Sequence, residues 1–245
     1  MTNYGKIILK REDKNFHAGF CIIHEELETL VNSLSLLHPI EKSYYDSLKY
    51  ERRKVSYMLG RIAAKKAISE FAEVKSFSSI HIDSGIFQFP VVKIPGITQN
   101  IQVSLSHCDN FGIALAFPEQ HPLGIDIEKI DTTKTEAIKS QMSPKELELI
   151  PKVNLPLQTG CTALWTIKEG LSKIFRTGLT MDFKLLEVQS LEKKDSVYIS
   201  SFTNCAQYKG ISWSFENYVC TMILPKNTNI DFKNFSGCLT NIFSI

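Results

Sequence analysis

One order of elements is written twice along this chain, on either side of a short proline-flanked stretch, and such a repeat constrains the fold more than any other feature. Residues 41 to 73 predict a helix, because Leu48, Val55, Leu59, Ile62, Ala63 and Ala67 recur at three- and four-residue steps. Strand-like Ser79-Ile80-His81-Ile82, a turn at Gly85 and Pro90-Val91-Val92 come next. Residues 101 to 117 then predict a hairpin turning near Cys108-Asp109-Asn110. Beyond Phe117-Pro118-Glu119-Gln120-His121-Pro122, a short helix is expected at Ser143-Pro144-Lys145-Glu146, where Ser caps, Pro suits the first turn and Glu closes a capping box. A longer helix is expected from 162 to 176, stopping at Gly178. Strands over 183 to 190 and 196 to 202 precede a last hairpin starting at Ile211. The Tyr57-to-Ser104 and Ala163-to-Ser212 spacings nearly agree. The expectation is an α+β protein of two related helix–sheet lobes, residues 1–118 and 119–245, arising by internal duplication, with a ligand cleft between them.

Composition narrows the function. With 43% hydrophobic and 22% charged side chains over 245 residues, the chain can build a sizeable core. Its 28 Lys+Arg against 26 Asp+Glu leave a net charge of +2, which supports no general role in binding nucleic acid. The six cysteines are scattered and form no CxxC pair, as expected of reduced thiols in a cytoplasmic protein. The first residues lack the charged-then-apolar order of a signal peptide. The longest apolar run, 111 to 117, is strand-length, so no membrane span is expected.

Chemistry concentrates in two motifs. In Pro122-Leu123-Gly124-Ile125-Asp126-Ile127-Glu128, strand alternation puts Asp126 and Glu128 on one face and Ile125 and Ile127 on the other. Two carboxylates about 7 Å apart repel unless a cation joins them, and oxygen-only ligation favours Mg²⁺ or Mn²⁺ over zinc. A half-buried strand with a solvated acidic face accounts for the same spacing. In Trp165-Thr166-Ile167-Lys168-Glu169-Gly170-Leu171-Ser172-Lys173, a helix would bury Ile167 and Leu171 and set Trp165, Glu169 and Lys173 along another face. Glu169 and Lys173 then lie one turn apart, which an ordinary i,i+4 ion pair would also explain. Gly170, costly inside a helix, suggests close approach of another element. His107, in Ser104-Leu105-Ser106-His107, reads by itself as a packing or turn residue. Lys49, Arg52, Arg53, Lys54, Arg61, Lys65 and Lys66 form a basic cluster around the first helical stripe.

Taken in order, Gly60-Arg61-Ile62-Ala63-Ala64-Lys65, SLSH, GIDIE and WTIKEGLSK resemble the surfactin-type 4′-phosphopantetheinyl transferases from about residue 50 to 190. The resemblance implies a monomer of two pseudo-twofold lobes. It implies transfer of the phosphopantetheine arm of coenzyme A to a serine of an apo acyl- or peptidyl-carrier protein, releasing adenosine 3′,5′-bisphosphate. It implies Asp126, Glu128 and Glu169 as carboxylates of a Mg²⁺ site, with Mn²⁺ as a substitute, and catalytic roles for Asp126, Glu169 and Lys173. Lys173 would contact the pyrophosphate, and His107 and Ser106 the 3′-phosphoadenosine end. The base is left open among Glu169, Glu128 and a metal-bound water. Two departures stand out: Gly170 replaces the usual Ala or Ser, and Gly85-Ile86-Phe87-Gln88-Phe89-Pro90 replaces a Gly-Lys-Pro turn. Without that lysine, Arg53 or Arg61 is expected to help hold the 3′-phosphate. A non-catalytic carrier-protein binder of the same fold, and a nucleic-acid binder using the basic helix, are the competing readings.

Overall fold

The computed structural model describes residues 1–243. The chain forms two compact units: Met1–Pro122 with Thr228–Ile245, and Leu123–Asn227. In the first unit β1 (Thr2–Lys10) and β2 (Asn15–His24) form a hairpin, followed by α1 (Leu27–Val31), α2 (Pro39–Ser47) and α3 (Glu51–Ala72). The two-stranded β3 (His81–Ser84) and β4 (Pro90–Lys93) lead into the hairpin of β5 (Ile101–Cys108) and β6 (Phe111–Pro118). The second unit runs β7 (Gly124–Lys129), α4 (Thr135–Lys139), α5 (Pro144–Leu147), α6 (Leu149–Lys152) and α7 (Leu157–Phe175). It ends with β8 (Val188–Lys194), β9 (Val197–Phe202), β10 (Tyr208–Ser214) and β11 (Tyr218–Pro225). The chain then returns to the first unit as β12 (Asn229–Ile230), paired with β1, and α8 (Lys233–Phe243).

Each unit is an antiparallel sheet with one long helix packed on it, in the orders β12-β1-β2-β6-β5 and β7-β11-β10-β9-β8. Within them the same order of elements recurs: a strand (β2 or β7), a long helix (α3 or α7), then a hairpin whose second strand pairs with the first strand. A Cβ on Gly19 would lie 2.0 Å from the Ala67 carbonyl oxygen of α3, and one on Gly124 2.0 Å from that of Gly170 on α7. Only glycine lets strand and helix backbones meet so closely. The helix-to-hairpin span between residues 41 and 73 departs from a single helix. Leu48 is extended, and the Ser47 hydroxyl donates to the Tyr44 carbonyl, which competes with continued helical bonding.

Other boundaries move for physical reasons. Helix α7 begins five residues earlier than expected, right after Pro156, because Gly160 lets the helix pack against the Ile150 side chain. The strand expected from 183 starts at Val188; Phe183–Leu186 is a 3₁₀ turn capped by Asp182, which accepts from the Lys184 amide. The capping box at Ser143 forms as expected, with Glu146 on the Ser143 amide. The tail from Thr228 belongs with the first unit because Phe235, Leu239 and Ile242 of α8 are buried there, Phe235 edge-on to Phe20. Among the described residues no helix is long and apolar enough to cross a membrane, and all six cysteines are free thiols.

Candidate active site

The second unit gathers four of the expected residues. Because Gly124 sits beneath α7, strand alternation turns Asp126 and Glu128 to the same helix-covered side, while Ile125 and Ile127 are buried on the other. Lys173, on the last turn of α7, donates to Asp126 Oδ1 at 2.7 Å and to the Ile125 carbonyl at 2.8 Å. The lysine therefore reaches across to the strand, and the i,i+4 pair with Glu169 expected from helical spacing is replaced by this tertiary contact. Asp126 is buried; Glu128 and Glu169 are half-buried.

Electrostatics mark the same place. Burial, then the charge of Asp126, pushes the Glu128 carboxyl up to about 7, against the opposing pull of Lys134 and Lys173. Glu169 is likewise pushed up to about 7 by burial and then Asp126, with Lys173 and Ser172 acting the other way. The cluster holds more acid than Lys173 neutralises, so positive charge is favoured there. The donor set, all carboxylate oxygen, suits a hard cation such as Mg²⁺, which needs only one or two protein carboxylates. Among the described residues no three His, Cys, Asp or Glu already converge into a metal cage. A cleft of about 690 Å³ is lined by Glu128, Lys129, Lys134, Ile138, Trp165 and Phe183, with Met181 also on its wall.

The remaining candidates lie in the first unit. Ser106 is buried near the end of β5 and the adjacent His107 is exposed. Arg53 is exposed on the first turn of α3. Arg61 stacks over the Tyr57 ring with its Nε 3.7 Å from Glu41. The basic cluster is not one solvated face, because Lys65 is wholly buried and ion-paired to Glu41 at 2.8 Å. The second unit repeats that arrangement: Lys168 is wholly buried, paired to Glu146 at 2.8 Å, and donates to the Gln141 and Phe183 carbonyls. In both pairs the glutamate is the third residue of a proline-started, capping-boxed helix. Lys168 points away from Glu169, as its position on the helix requires, and anchors α5 through Glu146. The available signal was Ser143-Pro144-Lys145-Glu146, whose glutamate closes the box and stays buried.

Comparison with known proteins matches part of this chain. A model described as the 4′-phosphopantetheinyl transferase superfamily matches residues 122–223. The chain is 30% identical over 134 residues to proteins called enterobactin synthase component D from Escherichia coli O157:H7 and Shigella flexneri, covering 53% of this chain. It spans 59% of the length of those relatives. A holo-(acyl-carrier-protein) synthase from Bacillus anthracis str. Ames in complex with CoA is similar to 45% of this chain and 96% of its own, at 23% identity and a TM-score of 0.36. A Thermotoga maritima holo-[acyl-carrier-protein] synthase is similar to 47% of this chain and 70% of its own, at 24% identity and a TM-score of 0.33. The acidic strand, the Lys173 helix and the loop between them all lie inside residues 122–223, the segment similar to the 4′-phosphopantetheinyl transferase superfamily.

Proposed function

We propose that the chain transfers the 4′-phosphopantetheine arm of coenzyme A to a serine hydroxyl of an apo acyl- or peptidyl-carrier protein. The observation that carries this reading is the cluster of Asp126, Glu128 and Glu169 with Lys173 bridging strand to helix. In the reaction the serine oxygen forms a bond to the phosphorus bearing the pantetheine arm. The bond from that phosphorus to the bridging oxygen breaks, and adenosine 3′,5′-bisphosphate leaves. Catalysis of such a transfer is chiefly positioning and charge neutralisation. Mg²⁺, held by Asp126 with Glu128 or Glu169, would supply charge neutralisation at the pyrophosphate oxygens.

The chain's own residues do the rest. Lys173 Nζ, fixed on the Ile125 carbonyl and Asp126, presents its charge where the leaving phosphate gains negative charge. A carboxyl poised near pH 7, Glu128 or Glu169, suits removal of the serine proton. The cleft beside Glu128 suits the arm, with Trp165, Ile138 and Met181 against its apolar parts. His107, Ser106, Arg53 and Arg61 are proposed for the 3′-phosphoadenosine end. We infer a monomeric cytoplasmic enzyme without a nucleic-acid or membrane role. The repeated order of elements and the free thiols agree with that. The test is incubation with CoA, Mg²⁺ and a panel of apo carrier proteins. At least one carrier should gain the mass of the arm, and none should gain it when EDTA is present from the start. No mass gain on any carrier would overturn the reading.

A further inference from the structure

Directly across the β7–β11 ladder from Asp126 stands Thr221, and Ser212 is its neighbour on β10. Residues opposite one another in an antiparallel pair share a face, so Asp126 and Thr221 both lie beneath α7. Thr221 Oγ1 lies 2.8 Å from Thr166 Oγ1 on α7 and 2.8 Å from Ser212 Oγ. All three hydroxyl residues are wholly buried. The hydrogens can be assigned, because each hydroxyl has one to give. Thr166 donates to the Ala163 carbonyl at 3.0 Å, so it accepts from Thr221, which in turn accepts from Ser212. The chain of donors runs one way, from sheet to helix.

The first unit is an internal control. The shared glycine contacts, Gly19 on Ala67 and Gly124 on Gly170, and the buried lysines Lys65 and Lys168, set the correspondence. In it Cys21 stands where Asp126 does, with Ala114 and Leu105 across the ladder in the places of Thr221 and Ser212. Ala63 stands in the place of Thr166. A helix docks on its sheet there with no hydroxyl at any of these positions, so docking alone does not require them. The hydroxyl tie occurs in the unit that carries the carboxylates.

We propose that Thr221 is a positioning residue: its hydroxyl fixes α7 along β11, so that Glu169 and Lys173 meet the strand carboxylates in register. Two points of α7 one turn apart reach Thr221. One is Thr166 through the hydrogen bond; the other is Gly170, whose Cβ position lies 3.9 Å from the Thr221 carbonyl oxygen. The glycine contact is smooth and tolerates sliding, whereas a hydrogen bond tolerates only a few tenths of an ångström. Lys173 closes the triangle on Asp126. Misplacement of about 1 Å in a phosphoryl-transfer site costs about 100-fold in rate, so a partial slip is expected to cost on the order of tenfold.

The kinetic test rests on the transferase reading; the exchange test does not. Thr221→Val keeps the shape and removes the hydroxyl. It should lower kcat about tenfold while KM for CoA stays within about twofold. Amides of the last two turns of α7 should exchange about tenfold faster, with those of α3 unchanged. Thr221→Ser, which keeps the hydroxyl and loses the methyl, should restore both. Should Thr221→Val leave Thr166 or Ser212 too poorly satisfied to fold well, Thr166→Val with Thr221→Val removes both ends of the tie and should give the same loss. Wild-type kcat and exchange in Thr221→Val, or a loss that Thr221→Ser shares, would overturn the proposal. If the wild type transfers nothing, the functional reading falls, and the exchange rates still decide the tie.

Discussion

Glu128 and Glu169 carry charges that the fold itself disfavours, since burial and the neighbouring Asp126 push both carboxyls up to about 7. Above that pH each ionised group costs stability in the absence of a cation, as sites kept for function commonly do. Glu128→Gln should therefore abolish transfer yet raise the thermal midpoint at pH 8, by the equivalent of about 1–2 kcal/mol after allowance for partial exposure. A lowered midpoint would contradict that account of its environment. Lys173 behaves oppositely, because it answers the buried Asp126. Lys173→Ala should lower kcat more than it raises KM for CoA, its charge mattering most as the leaving phosphate gains negative charge. Initial-rate kinetics over a CoA series check this, and a change confined to KM would make Lys173 a ground-state binding residue. The identities of these residues were legible from two motifs. Their partners were not: periodicity relates neighbours on one helix, and it has no means of showing that Lys173 crosses to a strand 47 positions away in sequence.

At the scale of elements, what could be read depended on whether the determining contact was local. The Ser143 capping box and the β5–β6 hairpin are set by residues within a few positions of one another, and both appear where the sequence puts them. The start of α7 is set by Gly160 against Ile150, and the glycine in GIDIE by the Gly170 backbone, and neither contact can be read from local spacing. Gly170 itself is explained the same way: a Cβ there would lie 2.9 Å from Ile223 Cγ1. The hairpin of β1 and β2, which supplies Gly19, the counterpart of Gly124, is not among the elements the sequence predicts. Lys168 shows how an element-scale role hides inside a motif, since it fastens α5 to α7 through Glu146. Lys168→Met leaves that carboxylate buried without its cation and should cost about 3–5 kcal/mol. Lys168→Met with Glu146→Gln removes both charges while keeping an acceptor for the Ser143 and Val188 amides, and should recover much of the loss in denaturant melts. A single variant as stable as the wild type would show that water reaches Glu146.

For the whole molecule, two units with different buried ionisable groups should answer pH in opposite senses. In the first unit His121 is wholly buried, bonded through Nε2 to Thr228 at 2.9 Å, and desolvation holds its pKa down to about 4. His81 is also lowered, by burial and then by the stacked His38. Below the ordinary histidine value of 6.5 the unfolded chain takes up protons that folded His121 refuses. Stability of this unit is therefore lost as pH falls toward 4, by about 2 kcal/mol at pH 5. In the second unit the folded Glu128 and Glu169 hold protons that the unfolded chain has released between its ordinary carboxyl value of 4.5 and about 7. Stability there rises as pH falls through that window, by about 1–2 kcal/mol after discounting for exposure. The exposed, lowered carboxyls such as Asp83 and Glu187 titrate below it. Hydrogen exchange corrected for intrinsic rates, compared at pH 7.5 and 5, should show protection falling in β2 and α3 and rising in β7 and α7. His121→Gln should abolish the first change, and Glu128→Gln should reduce the second. If protection moves the same way in both units, buried His121 and the carboxylate cluster are not what sets the response of this protein to acid.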